Sequence, residues 1–404
     1  MDIVSANLKL IVVILTMGFA YATILGYLAH RLKLSPILGY LLAGFLIGPF
    51  SPGFVADLKM SEQLAEIGVI LMMFGVGLHF KWQDLISTRY IAIPGALVQT
   101  AIATLAATLM MLQMGWSIEA GILLGFAVGV ASTVVLVRVL ADNHLLHTKD
   151  GHICVGWLVV EDIITVIVLL MIPVFATFVD GGNISNEMIA WTILWQIGKF
   201  VALVILMFTF GKQFVSYALS KIKATQSQEL FTLAILALTF VIAAGASIVF
   251  GVSITLGAFI AGMAMGQSHL HQQVAINAKP LRDAFVALFF LSIGMLFNPS
   301  AITEHWQMFL LILSIILIVK PLAAFLIAIV LRQSIKTGLV IALALAQIGE
   351  FSFILAEEAV RIDLIPDEGY DIVVACAIVS IALNPILFKF LPKGQRQQHE
   401  APEL

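Results

Sequence analysis

Charges break this chain into thirteen apolar runs, roughly 8–28, 36–50, 61–79, 90–114, 118–140, 151–178, 189–219, 228–249, 253–267, 284–297, 306–332, 337–357 and 368–391. Most approach the length of about 20 residues that crosses about 30 Å of hydrocarbon at 1.5 Å of rise per residue. Inside hydrocarbon every backbone polar group must be paired within the structure, which leaves helices or a closed barrel. Barrel strands would alternate over about 10 residues, so the runs predict an all-α polytopic membrane protein of about 13 transmembrane helices. Composition agrees: 61% of the 404 residues are hydrophobic and 11% are charged, against roughly 25% charged in a soluble domain.

The net charge of −3 averages over two sides of a membrane and gives no reason to expect a nucleic acid partner. Its distribution is more informative. Arg31, Lys33, Lys81, Arg89, Arg138, Lys149, Lys212, Lys221, Lys223, Lys279, Arg282, Arg332, Lys336, Lys389, Lys393 and Arg396 flank the odd-numbered loops or lie in the tail, 16 of the 21 basic residues. An excess of Lys and Arg marks cytoplasmic loops, so the N-terminus is expected outside and the C-terminus in the cytoplasm. The first run lacks the basic start and cleavage site of a signal peptide and is expected to stay as a helix. Cys154 and Cys376 fall inside apolar runs and read as small core residues.

The chain repeats itself. Ser35 to Gly48 realigns 218 positions later with Ser253 to Gly266, with six identities in fourteen positions and no gap. The match continues at an offset of 217, where Leu64, Val69, Leu71, Gly77 and Phe80 meet Leu281, Val286, Leu288, Gly294 and Phe297, and Glu66 meets Asp283. The second run thus matches the ninth, and the seven spans between equivalents reverse direction across the membrane. The expected architecture is two inverted repeats of six runs with residues 189–219 as connector, a plan shared by many secondary transporters that bind substrate where the repeats meet.

The same offset places Val130, Ala131, Ser132 and Thr133 opposite Gln347, Ile348, Gly349 and Glu350. Glycine, hydroxyl, amide and carboxylate groups gather there amid apolar residues, as suits helices that unwind and bring half-helix ends beside an ion. Glu161, Asp162, Lys320 and Glu350 are the charges deepest inside the runs. A charge at the bilayer centre costs about 3 kcal/mol on the lenient insertion scale, so each needs a partner or a function. Neighbouring helical residues point about 100° apart. Glu161 is therefore expected to face Lys320 and Asp162 to face a cavity, with Lys320 and Glu350 as charge partners in the core.

Low dielectric favours a neutral carboxyl and a nearby cation favours the charged one. Asp162 is thus expected to accept either a proton or an alkali cation, with Glu161, Ser132 and Thr133 supplying further hard oxygen ligands. There is no Walker loop, no GxGxxG after a strand and no metal-ligand motif. An enzyme is not expected, nor a cofactor beyond the transported K+ or Na+ and H+.

Gly39-Tyr40-Leu41-Leu42-Ala43-Gly44, Ala65 to Val69, Phe74 to Leu78, Ala131-Ser132-Thr133, Val160-Glu161-Asp162, Leu288 to Met295 and Gln347 to Phe351 together resemble the monovalent cation:proton antiporter-2 family, in its YbaL-like branch beside the Kef-type potassium efflux systems. The resemblance implies a sodium/proton antiporter-like fold with two crossed discontinuous helices. It also implies a dimerisation part over about 8–80 and 189–297, and a core part over about 90–178 and 306–391. Homodimers in a bacterial inner membrane and elevator-like alternating access are further implications. By motif, Asp162 stands for the family's ion-binding aspartate and Lys320 for its core lysine. Ser132 and Thr133 stand in the unwound part of the first crossing helix, with Val130, Ala131, Gln347 and Gly349 as crossing backbone. Sodium/proton members carry Asp-Asp and Kef systems Gln-Asp where this chain has Glu161-Asp162, which leaves K+ and Na+ both open. A paired Glu161 and Lys320 would resemble electrogenic members. Many relatives add a cytoplasmic nucleotide-binding regulatory domain after the last span; the tail 392–404 is too short to hold one. The expected function is monovalent cation/proton antiport, with a Kef-like gated potassium efflux channel as the alternative, although no TVGYG-like filter loop is present.

Overall fold

A computed structural model describes residues 3–32, 34–51, 58–79, 82–146, 148–179 and 186–391. Lys33, Lys81, Lys393, Arg396 and the tail 392–404 lie outside the described residues. The first repeat supplies α1 (Ile3–Arg31), α2 (Pro36–Ile47), α3 (Leu58–His79), α4 (Trp82–Gln113), α5 (Ile118–Gly129), α6 (Thr133–Asp142) and α7 (Lys149–Val179). The connector holds α8 (Asn186–Leu206) and α9 (Lys212–Lys223), joined by a π turn over Met207–Gly211. The second repeat supplies α10 (Gln228–Phe250), α11 (Ile254–Gly266), α12 (His271–Leu296), the short α13 (Ser300–Glu304), α14 (Trp306–Ser314), α15 (Lys320–Val330), α16 (Ile335–Leu345), α17 (Glu350–Arg361) and α18 (Asp367–Leu387).

Serines set many of these starts. Ser35, Ser117, Ser132, Ser227, Ser253 and Ser334 each sit in extended backbone before a helix and accept a hydrogen bond from an amide of the first turn. Each such cap stabilises a helix by typically about 1 kcal/mol. The caps also make the repeat visible. Ser35 and Ser253 cap equivalent helices, as do Ser117 and Ser334. α5 and α16 begin 217 positions apart (335 − 118), and so do α6 and α17 (350 − 133).

Four glycines show how the repeats interlock. A Cβ on Gly44 of α2 would strike the carbonyl oxygen of Leu291 in α12, and one on Gly294 of α12 would strike that of Leu41 in α2. The equivalent pair does the same: Gly262 of α11 abuts the Phe74 carbonyl of α3, and Gly77 of α3 abuts that of Phe259 in α11. Each repeat therefore packs backbone to backbone on the other, as small residues permit inside membranes.

Two groups of helices result. α1, α2, α3, α10, α11 and α12 pack on one another, whereas α4, α5, α7, α15, α16, α17 and α18 form the second group, and α8 touches both α7 and α10. Apolar side chains such as Trp191, Trp195, Phe210, Val241 and Ile248 point outward, a surface suited to lipid rather than water.

The thirteen apolar runs do not become thirteen uniform spans. Six helical stretches among the described residues are long and apolar enough to cross a membrane: Thr88–Gln113, Lys149–Ile172, Ile197–Lys223, Gln228–Phe250, Trp306–Val330 and Asp367–Phe390. α16 and α17 form a pair bent by 46° at their break. α2, α5 and α11 are shorter apolar helices, as is the stretch Glu66–Leu78 within α3.

Candidate functional site: the crossing of two broken helices

Both segments singled out by the repeat are unwound. α5 ends at Gly129 and α6 begins at Thr133; α16 ends at Leu345 and α17 begins at Glu350. Val130 is extended (φ −90°, ψ 138°), and so is Gly349 (φ −130°, ψ −165°). The halves cross, since α5 packs on α17 and α6 on α16. Gly349 makes the closest approach possible: a Cβ there would overlap the Cα of Ser132.

Unwinding frees backbone groups that hydrocarbon cannot solvate, and side chains take them up. The Glu161 carboxylate accepts from the Ala131 N–H through Oε2 at 2.8 Å. Gln347 Oε1 accepts from the Ser132 N–H at 3.0 Å, and its Nε2 donates to the Ser132 carbonyl at 3.2 Å. Ser132 Oγ donates to Glu350 Oε2 at 3.0 Å. It also accepts the Val135 N–H at 3.3 Å, as the cap of α6. On the carbonyl side, Lys320 Nζ donates to the Gln347 oxygen at 3.0 Å and Asn384 Nδ2 to the Leu343 oxygen at 2.7 Å.

The expected contact between Glu161 and Lys320 is not made as an ion pair. Among the described residues no carboxylate lies within 4.0 Å of Lys320 Nζ, although the two groups are near enough to feel each other's charge. The physical reason is local. The break offers Glu161 an otherwise orphaned N–H and offers Lys320 an otherwise orphaned carbonyl, and a buried group left unpaired costs about 1–3 kcal/mol. A π turn over Ile315–Val319 directly precedes Lys320. It changes the helical register at that point, so an ideal α-helix does not predict where the lysine points.

Asp162 differs from its neighbour. Glu161 is wholly buried and uses Oε2 on backbone, whereas Asp162 keeps 6% exposure and its Oδ1 has no hydrogen-bond partner. Its polar neighbours are the Thr133 hydroxyl, Glu350 and Glu161. Thr133 Oγ1, Glu161 Oε1 and Ser352 Oγ are likewise buried without a hydrogen-bond partner. Thr133 and Glu350 are the first residues of α6 and α17, where helix dipoles favour negative charge. The crossing therefore presents unpaired oxygens of several side chains, the donor set that suits a hard monovalent cation or a proton.

Sequence reasoning passed over Gln99 and Trp157. Trp157 Nε1 donates to Gln99 Oε1 at 3.3 Å, and Gln99 Nε2 donates to the Gly129 carbonyl at 3.2 Å, the last residue of α5. Both side chains are fully buried. Trp157 lies one turn before Glu161 on α7, so this bridge fixes the end of α5 against the helix that carries both carboxylates. An amide deep inside the apolar run 90–114, far from the Gln113 at its end, is the available signal.

These features together define a polytopic membrane protein built around an antiporter-type helix crossing. The sequence profile of the family described as sodium/hydrogen exchanger, transmembrane, matches residues 19–393. The chain belongs to this family, in its monovalent cation:proton antiporter-2 branch. It is 46% identical over 376 residues to YbaL of Escherichia coli (strain K12), covering 93% of this chain and 67% of that one. It is 29% identical over 358 residues to K(+) efflux antiporter 4 of Arabidopsis thaliana, covering 88% of this chain and 60% of that one. Among solved structures it is similar to the sodium proton antiporter MjNhaP1 of Methanocaldococcus jannaschii at pH 8, with a TM-score of 0.67, 17% identity and coverage of 95% of this chain and 99% of that one. That likeness concerns the fold.

Proposed function

We propose that the protein is a secondary active antiporter that exchanges K+ or Na+ for protons by exposing Asp162 alternately to the two sides of the membrane. The observation that carries this reading is the buried, unpartnered Asp162 Oδ1 beside the Thr133 hydroxyl, where the half-helices α6 and α17 begin. A carboxylate there holds one positive charge at a time, so a proton and an alkali cation displace each other. Relatives named for cation/proton and K(+) efflux antiport support the reaction class. In this reading Ser132, Glu161, Gln347 and Glu350 hold the geometry, and Lys320 offsets the negative end of α16 through the Gln347 carbonyl.

The group containing the crossing is the part that moves, and α1–α3 with α10–α12 form the stationary dimerising part. Polar links between the two among the described residues include two exposed ones: Arg361 of α17 lies 3.8 Å from Glu66 of α3, and Arg138 of α6 bonds His30 of α1 at 2.7 Å. Exposed pairs of this kind contribute about 0–1 kcal/mol, so sliding costs little at these points. The N-terminus lies outside and the C-terminus in the cytoplasm, in the bacterial inner membrane.

Purified protein in liposomes with an imposed pH gradient tests the reaction class and names the ion. Addition of K+, Na+, Rb+ or Li+ in turn is expected to dissipate the gradient for one or two of them, saturably. Cation flux with no coupled proton movement would identify a channel and refute the proposal.

A further inference from the structure

Gln347 is bonded at every polar atom it carries. Its N–H donates to the Leu345 carbonyl at 2.8 Å and its own carbonyl accepts from Lys320 Nζ at 3.0 Å. Its side-chain oxygen accepts from Ser132 N, while its side-chain nitrogen donates to the Ser132 carbonyl and, at 3.4 Å, to that of Ala344. The amide thus meets both backbone groups of one residue on the opposite broken helix, as the next strand of a sheet would. The Ser132 carbonyl already accepts the first helical bond of α6, from Leu136 N–H at 3.1 Å, so Gln347 takes its second lone pair. Turning the amide over would set donor against donor and acceptor against acceptor, so the network fixes its orientation.

We infer that the Gln347 side chain is the pin that sets the register between the two broken helices, and that it acts as a positioning residue for Asp162. The step is short. Ser132 is held by Gln347, its Oγ is held by Glu350, and the next residue, Thr133, presents the hydroxyl beside Asp162. Of the side chains that stay uncharged at any pH, only glutamine has this reach with an acceptor and a donor on one planar group. This inference rests on the antiport reading for its consequence, but the pin itself is readable without any flux.

Gln347→Glu supplies the test. A neutral carboxyl in that place accepts from Ser132 N–H and donates its O–H to the Ser132 carbonyl; the carboxylate has no donor and faces that carbonyl. The titratable groups facing the crossing are Glu161 and Asp162 from α7, Lys320 from α15 and Glu350 from α17, and their own titration appears equally in the parent. Hydrogen exchange of the segment around residues 130–136 in lipid nanodiscs, corrected for intrinsic rates, is expected to show equal protection in parent and variant at acid pH. At alkaline pH the variant is expected to exchange about tenfold faster, as fits the loss of a buried hydrogen bond. Gln347→Met, of similar volume, is expected to lose protection at both. Protection in Gln347→Glu that follows the parent at every pH, or Gln347→Met protected as the parent is, overturns the pin. Proton flux measured on the same samples keeps the two ideas apart: a parent without cation-dependent flux sinks the antiport reading and leaves the protection result standing.

Discussion

Asp162→Asn is expected to reduce cation-dependent proton flux in proteoliposomes to the level of empty vesicles, whereas Glu161→Gln is expected to retain exchange. The two carboxylates are adjacent in sequence but differ in what their oxygens do. Glu161 Oε2 accepts the Ala131 N–H at 2.8 Å, a bond that an amide oxygen accepts as well, so the glutamine keeps the break satisfied. Glu161→Leu would orphan that N–H and is expected to cost about 1–3 kcal/mol of stability. Asp162 Oδ1 has no such partner. An asparagine there fits the same space but has no charge to trade, so folding survives and exchange does not. Thermal unfolding in detergent and flux in liposomes check the two halves of this prediction separately. Exchange that persists in Asp162→Asn, or disappears equally in Glu161→Gln with folding intact, contradicts these roles.

Gly349→Ala is expected to lower both stability and exchange. The backbone at Gly349 (φ −130°, ψ −165°) is open to any residue, so no conformational strain is involved. The cost is steric, because the new methyl would overlap the Cα and Cβ of Ser132 on the opposing broken helix. Overpacking usually costs about 1–3 kcal/mol. Here relief requires separating the two segments, which stretches the Gln347–Ser132 and Ser132–Glu350 bonds as well. Gly245→Ala is the control, since nothing lies within 4 Å of the added carbon; with no clash only the helix-propensity gain of about 1 kcal/mol remains, so it is expected to melt no lower than the parent and to match its flux. A Gly349→Ala protein that melts and transports as the parent does would mean that the crossing tolerates a wider spacing than the structure shows.

Much of this arrangement is legible in the sequence itself. Spacing between charges marked the helices, and the offset of 217 placed the breaks, because unwinding needs small or polar residues that stand out inside apolar runs. The starts of α5 and α16, and of α6 and α17, keep that offset to the residue. The partners of the buried groups were harder to read. Charge alone predicts Lys320 opposite Glu161, yet it bonds a backbone carbonyl. A chain of letters does not reveal which carbonyls an unwound segment leaves unpaired, and the π turn at Ile315–Val319 shifts the helical register just before the lysine. Gln99, Trp157 and Asn384 hold helix ends through neutral groups. Neutral groups carry no large insertion penalty, so they attract less notice than a buried charge. Span counting also had a physical limit, since short and broken helices give apolar runs that single helices do not fill.

The most direct test is the apparent affinity for the transported cation, measured as proteoliposome exchange over a series of pH values. If one carboxylate binds either ion, lowering the pH raises the cation KM in proportion to proton concentration, while the maximal rate at saturating cation stays level over the same acid range. A KM that does not respond to pH, with only the maximal rate falling, would place the proton and the cation on separate groups and contradict exchange at Asp162.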